Sequence, residues 1–169
     1  MNKSDEFQTP AAVAKYMVDM VPSWATSVLE PTPGKGAIVN ELISAGVSEI
    51  IAPSDFFQLE RRWFGAVVMN PPFSDKYTFG IPEHITERGM KIGYRILFDC
   101  MKMSNHVIAL MPWFIILDST VRLENLRKYG LKSITALPRS TFNYARIQCC
   151  ILELRNGWTG STDFRTFKF

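Results

Sequence analysis

A chain of 169 residues that is 47% hydrophobic and 21% charged can bury one real core, and it is too short for a catalytic domain joined to a sizeable second one. We therefore expect a single domain over 1–169. The formal charge of +3, with an isoelectric point near 8.8, permits a polyanionic partner without demanding one.

The chain opens on Met1-Asn2-Lys3-Ser4-Asp5-Glu6, which has no apolar core of the signal-peptide kind, and its longest apolar run, Val107 to Leu117, is broken by Pro112. The expectation is a soluble cytoplasmic protein without membrane contact. Thr9-Pro10 fits an N-cap followed by the first helical residue, and Val13, Ala14, Met17 and Met20 carry a helix to about Met20, where Pro22 stops it. Ser27 to Glu30 reads as a short strand entering Pro31-Thr32-Pro33-Gly34-Lys35-Gly36. Ala37, Ile38, Leu42 and Ile43 then mark an amphipathic helix closed by Gly46. Strand, glycine turn and helix form the first half of a nucleotide-binding unit. Val47 to Ala52 is a second strand with Asp55-Phe56-Phe57 at its outlet, and Gly65 to Met69 is the strand that delivers Asn70-Pro71-Pro72-Phe73. The spacing predicts a helix over Glu83 to Met103, weakened by Gly89 and Gly93, with Ser74 to Pro82 before it as a candidate lid. His106 to Leu110 is a strand, Thr120 to Tyr129 a helix closed by Gly130, and Leu131 to Leu137 and Gln148 to Leu154 are strands too close for a crossover helix, hence antiparallel. Three cysteines, two of them adjacent at Cys149 and Cys150, suit neither a disulfide framework nor a four-ligand zinc site, and we expect core and surface thiols in a reducing compartment and no metal. The aromatic tail from Trp158 to Phe169 is expected to pack on the sheet edge, and His84, His106 and Lys35 are expected to be structural or solvated.

Several stretches can carry chemistry. Gly34 and Gly36, after a strand and at the head of a helix, allow close backbone approach to a ligand, although such glycines also serve tight packing alone. Ala37 stands where a phosphate-binding P-loop needs a hydroxyl, which disfavours an ATPase. Glu30 repels a phosphate and suits an ammonium or a ribose, or else acts on the helix N-terminus. Asp55 lies 19 residues beyond Gly36, near the offset at which an acid meets a ribose or base edge, with Phe56 and Phe57 able to pack on a purine; capping the next turn is the alternative. Asn70 has a chemical task that can be stated. Its side-chain carbonyl and the Pro71 backbone carbonyl, held rigid by two prolines, can both accept from an exocyclic amine and draw its lone pair toward a methyl donor, while Phe73 stacks on the base. A proline-rich turn over a buried Phe is the plainer reading. Arg139-Ser140-Thr141-Phe142-Asn143-Tyr144-Ala145-Arg146 mixes two arginines with two aromatics, as a phosphate-flanked stacking surface does and as a hairpin with one buried aromatic also does.

Phe7-Gln8-Thr9-Pro10, the Glu30 to Gly36 run, Asp55-Phe56-Phe57, Asn70-Pro71-Pro72-Phe73 and the Phe142 loop, in this order over residues 7 to 155, resemble the S-adenosylmethionine-dependent amino-group methyltransferases, which include N6-adenine enzymes of DNA and RNA. The resemblance implies an α/β, Rossmann-like class I methyltransferase fold: a mostly parallel sheet with an antiparallel strand near the C-terminus. It implies S-adenosylmethionine as cofactor, with Phe7, Thr9 and Pro10 at its methionine part, Glu30, Pro31, Gly34 and Gly36 along its amino-acid and ribose portion, and Asp55 and Phe56 at its adenine. Asn70, Pro71, Pro72 and Phe73 grip the target amine and ring, and Phe142, with Arg139, Tyr144 and Arg146, faces the substrate.

Two departures modify that expectation. Only the 23 residues from 47 to 69 separate the glycine-turn helix from Asn70, so one βα unit is missing from the family pattern and Asp55 combines two roles or the pocket is more open. The expectation is also of no target-recognition domain, and with it relaxed specificity, a single-stranded or RNA substrate, or a partner subunit that reads the target. The first expectation is N6-adenine methylation of DNA. The alternatives are RNA adenine or protein glutamine methylation, or an inactive cofactor-binding or nucleic-acid-binding module serving a catalytic partner.

Overall fold

The computed structural model describes residues 8–73, 83–142 and 147–168. Its helices are α1 (Ala11–Val18), α2 (Ala37–Ser44), α3 (Met90–Cys100), α4 (Phe114–Leu117) and α5 (Thr120–Tyr129). Its strands are β1 (Ser27–Leu29), β2 (Glu49–Ile51), β3 (Ala66–Met69), β4 (His106–Pro112), β5 (Leu131–Ala136), β6 (Cys149–Arg155) and β7 (Asp163–Thr166). The strands form one sheet in the order β2-β1-β3-β4-β6-β5-β7. β6 runs antiparallel to both its neighbours, β4 and β5, and the other four pairings are parallel.

Side-chain alternation in β3 explains the layering. Val67 and Met69 point to one face and join α3 and α5 through Leu97, Cys100 and Leu126. Ala66 and Val68 point to the other and meet Val13, Met17, Ile38 and Leu42 of α1 and α2. Both faces are covered, so β3 and β4 are buried along their whole length and read as continuous apolar runs.

The interval between β2 and β3 holds one 3-10 turn, Phe56–Gln58, and an isolated bridge from Phe64 to Ser104, with no strand or α-helix over residues 52–65. The shortfall expected there is thus visible in the topology. β2 forms one edge, and the strand count of seven is completed at the other edge by β7, the tail expected to pack there. Phe167 follows it into the core and meets Tyr16 edge to face, with ring centres 5.3 Å apart.

The expected helix over Glu83 to Met103 is shorter. It begins at Met90 because Gly89 sits at φ +61°, a conformation that interrupts helical hydrogen bonding, and 83–89 are irregular. All three cysteines are buried and unpaired, which corrects the expectation of a surface thiol. Among the described residues, no helix is long and apolar enough to cross a membrane.

Glu153 holds the antiparallel end together. It is 3% exposed and accepts from Lys132 Nζ at 2.6 Å and Ser133 Oγ at 3.1 Å, with Arg165 Nη1 at 3.5 Å and His106 Nε2 at 3.5 Å. One carboxylate therefore ties β4, β5 and β7 to β6. Burial pushes its pKa up, but the donors from His106, Lys132 and Ser133 outweigh burial and hold it down at about 2. Glu153→Ala should cost on the order of 3 kcal/mol, because it strands a partly buried cation. The stabilisation from a lowered carboxylate pKa is complete above its unfolded value of ~4.3 and is lost as pH falls toward 2. Acid melts of the wild type should steepen in that window and those of the variant should not.

Candidate active site

The chain order reverses between β1 and β3, and a cleft of about 400 Å³ opens at the carboxyl ends of β1, β2 and β3, the position at which open α/β sheets bind ligands. Glu30 and the turn through Gly34 leave β1, Pro53 to Phe57 leave β2, and Asn70 to Phe73 leave β3. Gln8 and Thr9 close the cleft from ahead of α1, and Ile96 reaches in from α3.

The glycine turn owes its path to two left-handed residues, Gly34 at φ +52° and Gly36 at φ +83°, and Gly36 caps α2. Gln8 Oε1 accepts the Lys35 amide at 3.0 Å, and a methyl group on Gly34 would meet that same oxygen at 2.9 Å. Gln8 is thereby latched across the turn.

Two acids line the cleft, Glu30 and Asp55, and none of its described lining residues is Lys, Arg or His. Glu30 is 1% exposed and accepts the Thr32 amide at 2.9 Å, with the Thr32 hydroxyl at 3.3 Å. Burial dominates over these bonds and pushes the carboxyl up to about 8. A buried acid in that condition is satisfied by a cationic ligand, since ionisation then gains the partner that the protein withholds. Asp55 Oδ1 accepts the Phe57 amide at 2.9 Å, so it caps the 3-10 turn and borders the cleft at once. Phe56 is buried, and its ring meets Phe57 edge to face at 5.5 Å.

Asn70 Nδ2 donates to Thr9 Oγ1 at 3.0 Å. This corrects the role expected for Thr9 in the helix: Pro10 occupies the N-cap of α1 without a side-chain cap bond, and the Thr9 hydroxyl is spent across the cleft. The Asn70 backbone oxygen accepts the Thr32 hydroxyl at 3.1 Å. Phe73 is 8% exposed and belongs to the core on the α3 side. Gly93 of α3 lies directly behind the loop, where a methyl group would meet the Pro72 carbonyl oxygen at 2.7 Å and the Phe73 ring at 3.3 Å.

The cleft therefore gathers Thr9, Glu30, Pro31, Gly34, Asp55, Phe56 and Asn70 to Phe73. Pro10 and Gly36 stand behind its lining as helix caps. Phe142 is buried in the core with Leu137 and Phe167, while Arg139 is exposed in a 3-10 turn. Phe7, Tyr144, Arg146 and the candidate lid from Ser74 to Pro82 lie outside the described residues. Sequence reasoning passed over Thr32, Pro53, Ser54, Ile96 and Gly93. Of these, Thr32 was findable by asking which nearby donor satisfies a buried Glu30.

No family model matches the chain, and no curated protein matches it. Solved structures do. The methyltransferase subunit of a type I restriction-modification system from Streptococcus thermophilus superposes with a TM-score of 0.72 at 17% identity, over 98% of this chain and 48% of that one. A modification subunit described as part of a type I restriction enzyme from Vibrio vulnificus gives 0.67 at 18% identity, over 99% and 48%. A Listeria monocytogenes protein described as a class I S-adenosylmethionine-dependent methyltransferase gives 0.71 at 14%, over 99% and 67%. The chain spans about half the length of the first two. At these identities the likeness establishes the fold: a class I methyltransferase sheet, mostly parallel with antiparallel pairing at β6.

Two expected outcomes follow from this geometry. Alanine is favoured over glycine in a helix by about 1 kcal/mol, yet Gly93→Ala should lower the melting temperature, because the Pro72 carbonyl must move. Glu30 has a raised folded-state pKa, so its contribution to stability is full below ~4.3 and falls as pH rises toward 8. Without ligand, Glu30→Gln should gain stability relative to wild type across that window, by about 5 °C or more in melting temperature at pH 8.

Proposed function

We propose that this protein is an S-adenosylmethionine-dependent N6-adenine methyltransferase acting on DNA. The observation that carries the reading is a cleft holding a buried acid with a raised pKa, with no basic side chain among its described lining, beside a rigid Asn-Pro-Pro-Phe outlet. Such a lining opposes a phosphate-bearing cofactor and favours a cation. The volume falls within the range of small-molecule sites. When bound, the cofactor supplies an activated methyl group on a sulfonium.

Glu30 and the glycine turn hold the cofactor's ammonium end, and Thr9 stands at its methionine part. Asp55, Phe56 and Phe57 take its adenosine. On the target side, the Asn70 side-chain carbonyl and the Pro71 carbonyl accept from the exocyclic amine and localise its lone pair, while Phe73 steadies the ring. The proton released from the amine passes to solvent, since neither carbonyl is a base. Arg139, exposed in its 3-10 turn, is the described residue of its loop offered to the nucleic acid. The three buried, unpaired cysteines suit a reducing cytoplasm. Two of the similar structures are subunits of larger systems, which supports a partner subunit that reads the target sequence.

One observation favours a second reading, an inactive module that serves a catalytic partner: the cofactor side lacks a βα unit between β2 and β3. Incubation with methyl-labelled cofactor and separate DNA, RNA and protein pools separates these readings. Label in DNA adenine is expected. Label only in protein or only in RNA defeats the DNA assignment, and no label with no calorimetric cofactor binding supports the module. Asn70→Ala should lower kcat by about 100-fold or more while the cofactor Kd stays within about twofold, because Asn70 serves the target amine.

A further inference from the structure

The proposed reading gives Glu30 to the cofactor and Asn70 to the target amine, and a single residue donates to both. The Thr32 amide N–H reaches Glu30 Oε1 at 2.9 Å. Its hydroxyl lies 3.1 Å from the Asn70 backbone oxygen and 3.3 Å from the Glu30 oxygen that the amide already serves. A hydroxyl carries one proton, and the shorter contact takes it to Asn70. Thr32 thus holds the cofactor side with its backbone and the target side with its side chain.

The placement matters because the Asn70 carbonyl belongs to the peptide bond that enters Pro71. Two prolines fix the backbone beyond it, so a shift at that carbonyl moves the Asn70 side chain and the Pro71 carbonyl together. The other restraints on this loop act elsewhere: Thr9 holds the side-chain amide and Gly93 backs the Pro72 carbonyl. The Thr32 hydroxyl joins the outlet of β3 to that of β1.

We propose that Thr32 is a positioning residue whose hydroxyl sets the separation between the cofactor-binding turn and the acceptors for the target amine. This inference rests on the methyltransferase reading. Its signature is a split between chemistry and binding. Thr32→Val keeps the branched shape and the amide donor to Glu30 while removing the hydroxyl, and Thr32→Ser restores the hydroxyl.

The test measures calorimetric affinity for S-adenosylmethionine and methyl transfer to single-stranded and duplex oligonucleotides containing adenine. Thr32→Val should keep the cofactor Kd within about twofold and lose about tenfold or more in kcat, because misplacement of reacting groups acts on the barrier. Thr32→Ser should recover most of that loss. Full kcat in Thr32→Val overturns the inference. So does a loss of cofactor affinity as large as the loss of kcat, which makes the residue a support for the whole turn, and so does failure of Thr32→Ser to recover. Wild-type protein that binds no S-adenosylmethionine overturns the methyltransferase reading together with the inference, and wild type that binds it but transfers no methyl group to either oligonucleotide overturns the DNA assignment together with the inference. A wild type that does both, with variants that show no split, overturns the inference alone.

Discussion

The buried carboxyl group at the end of β1 is the constraint on which the rest of the site depends. Glu30 sits where the sheet order reverses, and the Thr32 amide two residues ahead in the chain donates to it. Removal of a carboxylate from water without a cation beside it is unfavourable, so its protonation state is tied to whatever occupies the cleft. The turn that places Glu30 needs left-handed glycines at 34 and 36, and the loop facing it is positioned through the same Thr32. The outlets of β1 and β3 therefore share one small scaffold.

A second buried glutamate on the same sheet shows what the first one lacks. Glu153 is as deeply buried, yet Lys132, Arg165, Ser133 and His106 surround it and its pKa lies at about 2. Asp99 on α3 repeats that arrangement: against the cost of burial, Arg95 and Lys102 hold its pKa low, and Arg61 adds a third cation at 3.3 Å. These two acids complete their own charge balance within the fold and serve stability. Glu30 does not, and that difference sets it apart from the other two acids more sharply than burial does.

Much of this was legible in the sequence because strand outlets carry their own punctuation. Glu30, Asp55 and Asn70 each follow an apolar run and precede proline, an aromatic pair or glycine, and period-2 and helical spacing placed those runs within a residue or two. α5 was read to its termini with Gly130 closing it, and in the structure the Ser119 hydroxyl caps its start by accepting the Arg122 amide. What stayed hidden depended on partners far away in the chain. Thr9 looked like a cap for α1, and only its contact with Asn70, 61 positions on, shows where its hydroxyl goes. Gly93 read as a weak point in a helix until the Pro72 carbonyl was found against it. Glu153 lies in a run that reads as a buried strand, and its cations come from β5 and β7. The start of α3 was misplaced because helical spacing continues through 83–89 while Gly89 adopts a φ that a helix cannot use.

The loss of secondary structure between β2 and β3 does not leave the cleft without a wall. The segment 52–65 is pinned at successive points: Asp55 caps its own turn, Phe56 enters the core, and Arg62 pairs with Glu49 at 2.6 Å. Phe64 is fully buried, and its amide donates to the Met103 carbonyl at 2.8 Å. Fixing a loop of this length costs backbone entropy at every residue, and the burial of two phenylalanines offsets part of it. A crossover helix would cover the β2 edge more fully, but the side chains that face the cleft, Asp55 and Phe57, need only the anchored turn. The cleft thus keeps a wall at the outlet of β2 without a helix there.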